Sequence, residues 1–469
     1  MPSFTQQSAV QLLAALRQKK ISPLELAEEH LHEIERKNSQ LNALIDYDPE
    51  RVREQAGQSV SGPLAGLPVT VKASISTAGH RCEVGSILNR GNIPNEDAVV
   101  VSRLRRAGAV ILGTTNCPEL LMAYETDNLL YGRTSNPWNL DYTSGGSSGG
   151  ESSAIAAGMS AAGLGSDSGG SVREPAHFTG ICALKPTPGR IPGAGHLPAC
   201  VGPFSTLGAI GPMARTIADV VLMFGVLSGQ DPTDPVGAPV PYRQPTPEEL
   251  KQVPIGFFED DGLTPVTTET RNAVRAAADS LLRQGFKVTP FQPKNLELAR
   301  KLWWTFFVRC GGMFVDQLVK GSEDKLSPTL KGFLEIAHAE AVLTATELLN
   351  SWAESDIIRG KLLEEMAEFP VLLSPVCSVP AFKHGERKWM VDGIDVNYLD
   401  AMRYTQWFNT LGAPAAVVPV GSSPEGLPIG VQVAARPYQD EMALGIAAAI
   451  DREFGYTAPP ELVAAQKQP

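Results

Sequence analysis

No run of apolar residues in this 469-residue chain approaches the roughly 18 needed for a membrane-spanning helix. Its N-terminus has no basic segment leading into an apolar core and a small-residue cleavage site, so no secretory leader is read there. Cysteine is scarce and scattered. Cys82, Cys117, Cys182, Cys200, Cys310 and Cys377 form no C-x-x-C pair and have no histidine at zinc-finger spacing, which offers neither a disulfide framework nor a structural zinc. Positive charge is in deficit: 40 Lys+Arg against 51 Asp+Glu give a formal net charge of -11, which argues against nucleic acid or an anionic membrane as partner. There is no Walker A sequence, no dinucleotide fingerprint after a strand and no H-E-x-x-H, so no metal and no organic cofactor is inferred. These absences predict a soluble protein of a reducing cytoplasm.

What is present is the composition of a folded, enzyme-sized protein. Hydrophobic residues make up 43% and charged residues 19%, enough to bury a large core. Length alone suggests about three domains of ~150 residues each, but the organisation points elsewhere. Val10, Leu12, Leu13 and Leu16 recur at helical spacing over residues 7–19, and Ser22-Pro23-Leu24-Glu25 combines an N-cap, a first-turn proline and a capping-box glutamate; the chain therefore opens as a helical hairpin. Residues 67–72 read as a short buried strand, and 97–106 as a helix running into a strand over 107–112. Residues 266–284 and 331–367 carry helical patterning, whereas 414–420 and 427–433 are apolar strands joined by a turn at 423–426. Strands at both ends and no internal repeat favour one sheet whose edges come from distant segments over a string of domains.

Between Ser144 and Ser171, 28 residues hold nine serines and nine glycines. A flexible linker would have this composition; so would tight turns whose backbone amides must approach a ligand. The apolar insertions Ala154-Ile-Ala-Ala157 and Ala161-Ala-Gly-Leu164, and the continuation into Gly180-Ile-Cys-Ala-Leu184, favour the turns. Gly145-Gly-Ser147-Ser-Gly149 formally matches the G-x-S-x-G nucleophile elbow. The approach through residues 139–143 is polar rather than strand-like, and the later histidines His177, His196, His338 and His384 sit in no recognisable catalytic setting. Three residues remain as candidates for chemistry: Lys72 at the end of an apolar strand, Ser147 between glycine pairs, and Ser171 in Asp167-Ser-Gly-Gly-Ser-Val-Arg173.

Gly66-Leu-Pro-Val-Thr-Val-Lys72, Gly145-Gly-Ser-Ser-Gly-Gly-Glu151 and Gly165-Ser-Asp-Ser-Gly-Gly-Ser-Val-Arg173 together resemble the amidase signature family of serine hydrolases, at similar separations of 75 and 24 residues. The resemblance is strong over residues 64–190, returns at Gly426-Leu-Pro-Ile-Gly-Val-Gln432 and is faint over 229–402. It implies an α/β fold, a single extended mixed sheet enclosed by helices, with residues 1–469 as one amidase domain: a helical N-terminal segment to residue 60, a catalytic region over 64–190 and a variable substrate side over 229–402. By position it implies Ser171 as nucleophile, Ser147 as bridging serine and Lys72 as base, with an acyl-enzyme intermediate. It also implies an oxyanion hole from the N–H groups of Ser168, Gly169, Gly170 and Ser171, Asp167 and Arg173 as supports, and a cis peptide at Gly146-Ser147. The roles agree with chemistry, since a serine hydroxyl needs an adjacent base and a lysine serves only when burial has lowered its pKa. Without the serine motifs, a snorkelling lysine would be the ordinary reading. Two positions depart from the family pattern: Ala73, commonly acidic, and Glu174, commonly apolar.

The implied substrate is a small-molecule amide, hydrolysed to acid plus ammonia or amine. Leu121 resembles a carbonyl-side contact, while Leu302-Trp-Trp-Thr-Phe-Phe-Val308 and Cys310-Gly-Gly-Met-Phe-Val315 read first as core and second as the wall of an apolar acyl pocket. A homodimer is compatible with this reading. Amidotransferase partner subunits enter only if the chain is instead the glutaminase component of an enzyme that corrects misacylated tRNA, and a non-catalytic scaffold is the other alternative. An ordinary Ser/His esterase built on Ser147 stays distinguishable: it loses activity with a histidine and tolerates Lys72→Ala, whereas the amidase reading predicts the reverse.

Overall fold

The computed structural model describes residues 3–58 and 61–462; the remaining residues of the expected N-terminal segment and of the expected 1–469 domain lie outside them. Ser8 and Ser22 cap the helices Ala9–Arg17 and Pro23–Leu41 with complete capping boxes, closed by Gln11 and Glu25. The expected helical hairpin is therefore present.

The strands in chain order are β1 (Leu44–Tyr47), β2 (Pro68–Lys72), β3 (Val110–Thr115), β4 (Ser135–Asn136), β5 (Asn139–Thr143), β6 (Ala162–Asp167), β7 (Cys182–Lys185), β8 (Ala209–Ala214), β9 (Pro254–Phe257), β10 (Lys287–Pro290), β11 (Val371–Pro375), β12 (Lys388–Val391), β13 (Ile394–Asn397), β14 (Ala415–Ser422) and β15 (Pro428–Ala435). Eleven of them form one mixed sheet in the order β1-β3-β2-β6-β8-β7-β14-β15-β11-β9-β10. β2 runs parallel to both β3 and β6, whereas β14 and β15 pair antiparallel across the expected 423–426 turn. The edges, β1 and β10, do come from distant segments, but the last two strands lie in the middle of the sheet. Their Val/Ala/Ile-rich sequences, buried on both faces, suit a central position.

Alternation along the strands fills both faces. Ala416 and Val418 join Val69, Leu164, Val220 and Ile446 in one apolar cluster, while Val417 between them joins Ile155, Val172 and Met213 in another. Helices Ile217–Leu227, Thr268–Arg283 and Asp440–Phe454 cover the first face. The patterning over 331–367 resolves into two helices, Pro328–Ala337 and Ala345–Glu365, because Thr344 and Glu347 form a fresh capping box that starts a second helix. Residues 139–143 do form a strand, but in a two-stranded hairpin with β4, outside the main sheet. Among the described residues, no helix is long and apolar enough to cross a membrane.

Leu184, fully buried on β7, packs within the first cluster. Leu184→Ala is expected to lower stability by about 2–5 kcal/mol, read as a lower urea midpoint at unchanged denaturant slope.

Candidate active site

β2 and β6 are parallel neighbours with Val71 opposite Leu164, so their carboxyl ends emerge side by side. Lys72 ends β2, and Ser166 and Asp167 end β6. The helix Gly149–Ala156 is entered through Ser147 and Ser148 and packs on the same two strands. Ser148 N–H donates to Ser171 O at 3.1 Å, tying the helix entry to the loop after β6. The three segments singled out in the sequence thus meet at the carboxyl ends of β2 and β6.

Lys72 is 0% exposed. Its Nζ has four oxygen partners and none is a carboxylate: Ser147 Oγ at 2.7 Å, Ser148 Oγ at 3.0 Å, Ser166 Oγ at 3.1 Å and Ser166 O at 3.4 Å. Burial brings its pKa down to about 8, against the opposing pull of Cys117, Asp167 and Glu151. Ser147 is 1% and Ser171 9% exposed, and both line a cavity of about 50 Å³ with Ser166, Ser168, His196 and Cys200. The Gly146–Ser147 peptide is cis. Behind the lysine, Glu151 is fully buried and accepts hydrogen bonds from Thr70 and Thr115, and burial raises its pKa to about 8.

Asp167 and Arg173 form a two-pronged ion pair with both side chains at 0% exposure: Nη2 to Oδ1 at 2.9 Å and Nε to Oδ2 at 3.0 Å. Burial alone would raise the Asp167 pKa, but the Arg173 charge and hydrogen bonds, helped by Lys185 and Asn409, hold it well below the usual carboxylate range. Arg173 also donates to Thr405 O at 3.0 Å, Gln432 Oε1 at 3.2 Å and Asn409 Oδ1. Asp167 Oδ1 accepts from Gly170 N–H at 2.8 Å. One of the four expected oxyanion donors is therefore already engaged, because the aspartate that braces the loop uses that amide; Ser168, Gly169 and Ser171 remain.

Trp303 Nε1 donates to Ser168 O at 2.8 Å, while Tyr124 OH and Thr405 Oγ1 donate to Gly169 O at 3.0 and 2.7 Å. Carbonyl and N–H point oppositely across a trans peptide, so these bonds fix the directions of the Gly169 and Gly170 amides. Neither glycine is replaceable: a Cβ on Gly169 would lie 2.6 Å from Trp303, and Gly170, at φ +126°, would place one 2.5 Å from Thr405 Oγ1.

Glu174 lies fully buried rather than at a rim. Its Oε1 lies 3.0 Å from Thr405 Oγ1, whose one proton is directed to Gly169 O, its Oε2 has no partner among the described residues, and burial pushes its pKa well above the usual carboxyl range. Ala73 is also buried, its N–H bonded to Thr115 O at 3.0 Å. Leu121 lines both the small cavity and a larger one of about 520 Å³ that also opens on Ser171. The aromatic run serves both readings made of it: Leu302 and Phe306 are core, whereas Trp303 and Phe307, stacked at 4.8 Å, wall the larger cavity. The helix here widens to π geometry over Trp304–Arg309, a feature frequent at functional sites.

None of the four histidines has Ser147 or Ser171 as a hydrogen-bond partner among the described residues. His177 bonds Gly430 and Val379, His196 bonds Pro198 O and Ser74, His338 meets Asp316 at the surface, and His384 bonds Leu140 O. The residues missed in the sequence are Tyr124, Glu151, Ser166, Thr405 and Asn409. Only Glu151 carried a readable signal, an acid in a helix with no polar face. Arg173→Met would leave Asp167 buried and unpaired, and is expected to cost about 3–5 kcal/mol, read as a lowered midpoint of chemical denaturation.

The Amidase family model matches residues 25–444. The chain is 33% identical to an indoleacetamide hydrolase of Bradyrhizobium diazoefficiens, covering 97% of this chain and 87% of the relative. It is 32% identical to one of the subunits of the glutamyl-tRNA(Gln) amidotransferase of Roseiflexus sp., covering 93% and 94%. The solved structure of 6-aminohexanoate cyclic dimer hydrolase complexed with substrate superposes with a TM-score of 0.86 at 28% identity over 97% of this chain and 99% of that one. With a family match over most of its length and a fold shared with an amide-cleaving enzyme, the chain belongs to the Amidase family, the amidase signature enzymes, and is a hydrolase acting on amides.

Proposed function

We propose that the protein hydrolyses a small-molecule carboxylic amide through Ser171, Ser147 and Lys72, with an acyl-enzyme intermediate. The observation that carries this reading is a buried lysine hydrogen-bonded to Ser147 Oγ at 2.7 Å with no carboxylate partner and a pKa brought down to about 8. Such a lysine is neutral in a minor but accessible fraction near physiological pH, and in that form it can accept a proton. Ser171 Oγ attacks the amide carbon while its proton passes to Ser147 Oγ, and the Ser147 proton passes to Lys72 Nζ. Collapse of the tetrahedral intermediate breaks the C–N bond, and the same relay run backwards delivers a proton to the leaving nitrogen. Water then attacks the Ser171 ester, giving the acid and restoring the hydroxyl.

Charge on the tetrahedral oxygen falls to the N–H groups of Ser168, Gly169 and Ser171, where a single donor is worth ~10²–10³ in turnover. Asp167 and Arg173 transfer no proton; they hold the loop. The continuity of one sheet from β1 to β10 supports a single catalytic domain. The 32% identity to an amidotransferase component supports a glutaminase as second reading, but the apolar, aromatic walls of the larger cavity match a glutamine side chain poorly.

Intact mass and peptide mapping after reaction with a fluorophosphonate test the assignment. Labelling is expected on Ser171, absent in Ser171→Ala and strongly slowed in Lys72→Ala; labelling of Ser147 independent of Lys72 would overturn it. Turnover of Lys72→Ala is expected to fall by about 10²–10⁴. The base acts only when deprotonated, so kcat/KM is expected to rise with pH through an apparent pKa near 8 and level off above it. A flat profile from pH 6 to 9 would remove the lysine from the role of base.

A further inference from the structure

Two cavities of very different size meet over Ser171. The larger, about 520 Å³, is walled by Tyr124, Trp303, Phe307, Phe333, Ile336 and Tyr398. That is the size and character of a pocket for a bulky apolar ligand. The smaller, about 50 Å³, is lined by Ser147, Ser166 and Ser168, by His196 and Cys200, and by Phe204 and Phe314. Leu121, Met122, Phe307 and Ser171 line both and form the divide between them. Since a water in the liquid takes ~30 Å³, the smaller space suits ammonia or one or two waters and has no room for an aromatic amine.

Ser147 decides which cavity takes which end of the amide. It lines the small cavity and is absent from the walls of the large one. On the relay proposed above, on which this inference rests, Ser147 hands the proton to the departing nitrogen, so that nitrogen must lie on the Ser147 side. The carbonyl substituent then points the other way, among the aromatic rings.

We propose that the substrate is a primary amide of a bulky apolar carboxylic acid, its acyl group in the large cavity and its NH2 in the small one. The C–N bond breaks with one proton returned through Ser147, and ammonia leaves. The vacated space admits the water that cleaves the Ser171 ester. The polar lining fits both molecules: serine hydroxyls offer hydrogen bonds, and burial lowers the pKa of His196 to about 4, which leaves that ring uncharged. Phe204 meets Phe307 edge-on at 5.9 Å and lies tilted to Phe314 at 6.0 Å, so packed rings form part of the wall that a longer nitrogen substituent would meet.

The test compares 2-naphthylacetamide, its N-benzyl derivative and N-(2-naphthylmethyl)acetamide, in which the same ring sits on nitrogen instead of carbon. The full chain is expected to prefer the primary amide over each of the others by at least about 100-fold in kcat/KM. Phe314→Ala is expected to narrow the gap for the N-benzyl compound by about tenfold or more. Equal or faster hydrolysis of the transposed amide would overturn the assignment, as would hydrolysis of none of the three by protein whose Ser171 reacts with fluorophosphonate. Fluorophosphonate labelling that bypasses Ser171 or Lys72 would instead strike at the relay itself, so the two failures are separable.

Discussion

A lysine ammonium withdrawn from water costs several kcal/mol unless a charge compensates it or the proton leaves. Lys72 has no carboxylate in contact; its cage is three hydroxyls and a carbonyl. Much of the surrounding architecture keeps that arrangement dry and specific. β2 is buried along its whole length, so the strand that delivers the amine also desolvates it. Glu151 is close enough for its charge to be felt by the amine, yet Thr70 and Thr115 hold its carboxyl and burial disfavours its ionised form. The acid moderates the lysine without pairing with it and locking it as a cation.

The loop that carries Ser171 follows a different rule. There a full ion pair is buried, and it is supplied with hydrogen bonds on nearly every side: Asp167 by Gly170, Val172 and Asn409, Arg173 by Thr405, Asn409 and Gln432. One end of the site thus holds a buried charge fixed by a partner, and the other an amine that burial leaves titratable.

The sequence made the local elements and the site's own segments legible. Ser22-Pro23-Leu24-Glu25 announced its helix through capping chemistry, and the glycine-flanked serines announced close backbone turns. Less visible was whatever depends on pairing across distance. Nothing in residues 414–433 says that they lie mid-sheet, because a doubly buried strand reads the same wherever its neighbours come from. Thr405 and Asn409 sit on an amphipathic helix as unremarkable polar residues, and only the fold turns them toward Gly169 and Asp167. The Gly170 amide looked free for the same reason: glycine content reveals that backbone can approach a ligand, and not which acceptor reaches it first. Glu174 stood out only as an acid at a commonly apolar position, and its neighbours in sequence do not disclose that its helix is buried all round.

The braces of the Ser171 loop lie far downstream: Arg173 reaches Thr405, Asn409 and Gln432 across 232, 236 and 259 residues. During synthesis, Lys72, Ser147 and Ser171 leave the ribosome long before these partners exist. A chain that ends before Thr405 carries all three of these side chains and lacks each of those downstream braces. The register of the Ser171 loop therefore depends on residues synthesised more than 230 positions after it.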